Sequence, residues 1–162
     1  MKTRYLFPHR YKNFGWILFG VSIVLGIMMH ITNDLFDGDS LIVPFLAIYN
    51  DPFLGSDGGQ FFQIIKTGIF DELLITGIIF GGVLVGFSKL KIEDEFTSKL
   101  RSESLIWAFY VTSILNVLIS LFIYGGIYLT FLVYNLFFQL IFFIIRFHYV
   151  LYKSNKEMSY EE

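Results

Sequence analysis

The sequence predicts an all-α membrane protein: a four-transmembrane-helix bundle, N-in/C-in, with an extracytoplasmic loop that forms a short β-hairpin. Three observations predict it. Of 162 residues, 55% are hydrophobic and 16% charged, with a mean hydropathy of +0.62, whereas soluble domains carry about 25% charged residues. Four apolar runs reach spanning length. Eleven of the twelve basic residues fall in segments that those four spans place on one side, Lys66 being the exception, and basic segments stay cytoplasmic.

The first span, about 15–31, runs from Gly15 to Ile31 with His30 as its strongly polar member, at the lower end of the roughly 17 to 25 residues that cross about 30 Å of hydrocarbon. His30 reads as a headgroup-level side chain. The basic leader Lys2, Arg4, Arg10 and Lys12 suits a signal peptide, but the run is too long and no small-x-small cleavage site follows it, so a retained signal anchor is expected.

Thr32 opens an outer loop, 32–68, in which Asp37-Gly38, Asn50-Asp51-Pro52 and Ser56-Asp57-Gly58-Gly59 mark turns. Leu41–Tyr49 and Gln60–Lys66 between them are rich in aromatic and branched residues. They read as a β-hairpin packed on the membrane face, with Pro44 confining its strand to an edge; an interfacial helix is the rival. Asp34-x-x-Asp37-Gly38-Asp39-Ser40 is calcium-like but lacks the rest of the twelve-residue EF-hand loop, so it reads as a solvated acidic turn.

The second span, about 69–89, is short at its apolar centre, Leu73–Phe87, and is lengthened by Ile69, Phe70 and the aliphatic stem of Lys89. Gly77-x-x-x-Gly81 and Gly82-x-x-x-Gly86 give it small residues for close helix packing, and Ser22-x-x-x-Gly26 offers a matching notch on the first span.

The inner loop, 90–104, reads as a helix continuing into the third span. Ile92, Phe96 and Leu100 form an apolar stripe suited to the headgroup layer, and Glu95 with Lys99 form a helical ion pair. Glu93-Asp94-Glu95 is expected to be a solvated face.

The third span, about 105–124, and the fourth, about 127–147, are separated by Gly125-Gly126 and must form a tight antiparallel hairpin. Ser113, Asn116 and Ser120 share one face of the third, and Asn135 and Gln139 lie on the fourth. Counting outward from the glycines puts Asn116 level with Asn135, so that the two are expected to contact each other or share a partner such as Gln139, and puts Glu103 within ion-pair reach of Arg146 or His148.

Ile92-Glu93-Asp94-Glu95-Phe96-Thr97-Ser98-Lys99-Leu100-Arg101-Ser102-Glu103-Ser104-Leu105, with Arg146-Phe147-His148-Tyr149, resembles the uncharacterised small multi-spanning inner-membrane proteins of Bacteroidota. The resemblance covers the C-terminal half. It implies a bacterial inner membrane and transfers no functional residues.

Chemistry is expected to be absent. There are no cysteines and the net charge is -2, which excludes thiolate sites and disfavours nucleic acid. No base stands beside a nucleophile and no metal set is complete, so no catalytic, cofactor-binding or metal residues are assigned and the chain is not read as an enzyme. The expected partners are the lipid bilayer and either a membrane protein or a second copy. The expected function is that of an accessory, sensor or scaffolding subunit acting through a partner, the alternative being a small oligomeric transporter or channel.

Overall fold

A computed structural model describes residues 5–31, 42–50, 59–91 and 93–158. The order of elements is α1 (Arg10–Ile31), β1 (Ile42–Asn50), β2 (Gln60–Gly68), α2 (Phe70–Phe87), α3 (Glu95–Phe122) and α4 (Gly126–Met158). Among the described residues these four helices are long and apolar enough to cross a membrane. Helix α1 starts earlier than the apolar run because the chain turns at Pro8 and His9, whose carbonyls accept from Tyr11 and Lys12 N–H. Helix α4 continues past Arg146 through a polar stretch to Met158.

Local chemistry explains the ends. Asp71 and Glu72 occupy the first turn of α2, where carboxylates favour the positive end of the helix dipole. Asp94 caps α3 by accepting from Thr97 N–H at 2.7 Å. The inner connection is therefore helical from Glu95 onward, while Lys89, Leu90, Lys91, Glu93 and Asp94, expected in the same helix, are not helical, because Asp94 caps the helix at this point. Gly125 turns the chain between α3 and α4 with φ of +81°, a region that side chains disfavour.

The chain forms two compact units, Met1–Val21 with Gly77–Glu162, and Ser22–Thr76. Within the second lies the expected hairpin, antiparallel with Phe45 opposite Ile65, Pro44 opposite Lys66 and Asn50 opposite Gln60. The Tyr49 and Phe61 rings touch at 4.9 Å between centroids. Asn50 Nδ2 donates to Gln63 Oε1. Phe62 sits at φ of 53°, an unusual conformation for an aromatic residue.

The first unit packs the start of α1 and the end of α2 with α3 and α4. Phe19, Ile78, Val85, Leu100, Ala108, Phe137, Phe143, Ile144 and Phe147 form its core. Glycines on α2 permit the approach on two sides: a Cβ on Gly81 would stand 2.6 Å from Phe19 N, and one on Gly86 would strike the Phe143 ring. The matching notch on α1 is Gly15, whose added Cβ would lie 2.7 Å from Leu84 Cβ, and not Gly26, which has open space around it.

One further tie holds this unit. Phe7 N–H donates to Phe87 O and Lys89 N–H donates to Phe7 O, both at 2.9 Å, so the segment before α1 pairs with the backbone leaving α2.

Candidate functional site

Two polar clusters lie among the helices of the first unit. The first is at the end where α1 begins and α4 finishes. The buried faces of α3 meet there through Thr97, Leu100, Arg101, Ser104, Ala108 and Thr112, a stripe of helical spacing. Arg101 is only 5% exposed, and its guanidinium holds Glu93 Oε1 at 2.6 Å. It also reaches Ser88 O at 3.4 Å and lies 5.1 Å from the centre of the Phe147 ring. Lys12 is close enough to feel both Arg101 and Glu93. Glu93 is thus a partner of a buried cation and not part of a solvated face.

His148 stands beside this group, edge-on to Trp16 at 5.2 Å between centroids. Its Nδ1–H donates to Ile144 O at 2.9 Å, which leaves Nε2 as the lone-pair nitrogen when the ring is neutral. Among the described residues Ser88 Oγ, Arg101 Nε, Ser104 Oγ and His148 Nε2 are buried without a partner. None of the contacts places a base against a nucleophile. A buried cation held by a carboxylate, a carbonyl and a ring fastens helix ends together.

The second cluster lies in the α3–α4 hairpin. Asn116, Ser120, Tyr128 and Asn135 line a notch of about 410 Å³, whose apolar walls include Val117, Leu121 and Leu132. The expected level of Asn116 and Asn135 is correct, since both face this one space. They do not satisfy each other: Asn135 Oδ1 is buried with no hydrogen-bond partner among the described residues. The rim is exposed, with Val117 and Leu121 each 58% accessible.

Elsewhere along the hairpin the expected pairing changes. Arg146 lies 5.0 Å from the centre of the Trp107 ring, one helical turn along α3 from Glu103. Glu103 itself meets Lys99 at 3.9 Å, so neither Arg146 nor His148 takes it. The same contact shows Lys99 pairing with Glu103 where Glu95 was expected. The apolar stripe also divides: Leu100 is buried in the core, Phe96 is half exposed, and Ile92 lies outside the described residues. So do the acidic turn at Asp34–Ser40 and the turn residues Asp51–Gly58.

Arg101 was the residue least visible beforehand. A signal did exist in the small and polar series Thr97, Arg101, Ser104, Ala108 and Thr112, which marks the packed side of α3 once the larger apolar residues are read as facing outward. No protein-family model, curated protein or solved structure matches this chain.

Proposed function

We propose that the protein is an accessory or scaffolding subunit of a membrane assembly, acting by docking a partner helix within the bilayer and having no chemistry of its own. The observation that carries this reading is the notch between α3 and α4, where Asn116, Ser120, Tyr128 and Asn135 put polar side chains among the exposed apolar residues Val117 and Leu121. An unpaired polar group in hydrocarbon costs several kcal/mol, and a polar side chain from a partner helix relieves that cost. The charge pattern supports an orientation with both termini cytoplasmic in a bacterial inner membrane.

The test is a photo-crosslinking residue at Leu132, used in native membranes and read by mass spectrometry. A stoichiometric protein adduct supports the reading, and recovery of the uncrosslinked chain alone overturns it. The polar lining of the notch also suits a small oligomeric transporter, which solute flux through purified protein in vesicles would reveal.

A further inference from the structure

The hairpin of β1 and β2 carries a surface that its own strands leave open. Successive residues of a strand point to opposite faces, and residues directly opposite across the pair share one. Leu46 stands opposite Ile64, and Ile42 and Ile48 lie on the same face of β1. These four side chains are between 51% and 71% exposed. Lys66, opposite Pro44 on this face, is the one charge on either strand. The other face is more polar and partly covered: Ala47, Gln63 and Thr67 are half-buried, and two of its exposed rings, Tyr49 and Phe61, touch each other.

What covers the open face follows from the height at which the hairpin starts. β2 ends at Gly68 and α2 begins at Phe70. The Ile69 carbonyl between them already accepts from Leu73 N–H at 3.1 Å, so no linker separates strand from helix. Helix α2 has 18 residues, about 27 Å at about 1.5 Å per residue, against about 30 Å of hydrocarbon. A helix that short cannot cross and also lift its first residue clear of the bilayer. Asp71 and Glu72 in its first turn suit the headgroup layer, about 5 to 7 Å deep on each side. A spanning α2 therefore roots the hairpin in that layer.

A strand of nine residues reaches about 30 Å at about 3.3 Å each, several times the depth of the layer. An upright hairpin would hold Ile48 and Ile64 in water, whereas a flat one lays them on the acyl boundary, which the hydrophobic effect favours. Depth is bounded as well. A two-stranded sheet has two unpaired edges, whose backbone groups need water and are barred from hydrocarbon. Lys66 can lay its stem along the apolar layer while its ammonium meets lipid phosphate. Asn50 and Gln60, paired at the far end, are polar and stay hydrated.

We propose that the face formed by Ile42, Leu46, Ile48 and Ile64 lies flat in the headgroup layer where α2 enters the bilayer, its partner being the lipid surface and not a protein. The inference is independent of the α3–α4 notch and rests on α2 crossing the membrane.

With no native cysteine, single cysteines report depth. Leu46→Cys and Ile64→Cys on the open face, Ala47→Cys and Gln63→Cys on the other, and Phe80→Cys within α2 are made in the full chain. Each is labelled with a polarity-sensitive fluorophore and reconstituted in phosphatidylcholine vesicles. Quenchers are lipids bearing a nitroxide near the headgroup or deep in the acyl chain, and iodide on both sides of the vesicle. Labels at Leu46 and Ile64 lose fluorescence to shallow nitroxides more than to deep ones and are shielded from iodide, while labels at Ala47 and Gln63 lose it to iodide. Two positions on each face keep the comparison open if one variant misfolds.

Iodide quenching of both faces without nitroxide quenching overturns the proposal, as does stronger quenching of the Leu46 and Ile64 labels by deep nitroxides than by shallow ones. Shielding that appears in native membranes but not in lipid vesicles means that a protein covers the face, and overturns it too. The Phe80 label separates these failures from failure of the span: loss to deep nitroxides shows α2 crossing whatever the hairpin does, and no loss overturns both.

Discussion

Arg101 and Glu93 close a bridge of 2.6 Å across the entry to α3, eight residues apart in sequence. The arginine is buried and the carboxylate is about a fifth exposed, so the pair sits where water screens it only partly. Removing one partner strands a charge, whereas exchanging both need not. Glu93→Gln is expected to lower unfolding stability by about 3 kcal/mol, the lower end for a buried pair because Glu93 is partly wet. Glu93→Gln with Arg101→Met should recover part of that loss. Denaturant titration of the four proteins in micelles provides the cycle, and additive single effects would dissolve the pair.

Acid should loosen the same end. Burial works to raise the Glu93 carboxyl, but the Arg101 hydrogen bond, the Leu90 amide and the Arg101 charge outweigh it, holding the group below its ordinary 4.5. A carboxyl lowered by folding contributes stability that is complete above the unfolded value and disappears as pH falls through the folded one. Stability is therefore expected to be level above about pH 5 and to fall below about pH 4.5. Asp94 is held low in the same sense by Thr97, so Glu93→Gln should flatten the acid slope without abolishing it. An unchanged slope would remove Glu93 from the effect.

Glycines of similar appearance should differ sharply. Gly81 has Phe19 backbone 2.6 Å from where a Cβ would stand, while Gly26 has nothing within 4 Å. Gly81→Ala should destabilise by roughly 1 to 3 kcal/mol, the range for overpacking. Gly26→Ala should be neutral or stabilising by up to about 1 kcal/mol, since alanine favours helix. Melting temperatures of the two variants in one detergent decide it.

Asn135→Val should leave the isolated chain at least as stable as before. The oxygen it removes is buried and unpaired, and deleting an unsatisfied acceptor ends a desolvation cost instead of a bond. A loss above about 1 kcal/mol in monomer unfolding, the size of a typical net hydrogen bond, would mean that the amide has an intramolecular partner.

Orientation can be read chemically. Single cysteines at Gln60, on β2, and at Ser102, exposed near the start of α3, should differ in intact cells: an impermeant thiol reagent should label Gln60→Cys alone. Labelling of Ser102→Cys alone would invert the topology.

What was legible in the sequence was what depends on neighbours along the chain. The spans, the Gly125-Gly126 hairpin and the strands on either side of Asn50 and Gly59 follow from local hydropathy and turn residues. Arg101 was obscured because a cation two turns into a helix ordinarily reaches out to headgroups; its burial depends on Glu93 and Ser88 from the α2–α3 connection and Phe147 from α4. The glycines showed the same division. Gly81 and Gly86 were recognisable as packing residues on α2, but only the crossing of the two helices selects Gly15 over Gly26 as the counterpart on α1.

The Phe7 backbone pairing has a consequence for biogenesis. Its partners, Phe87 and Lys89, are synthesised some eighty residues later. The leading segment must therefore wait, unpaired, until the second span is delivered, and the α1–α2 pair is latched only at that moment. A ribosome stalled before Phe87 would hold a nascent chain whose first helix is complete but whose clasp has nothing to close upon.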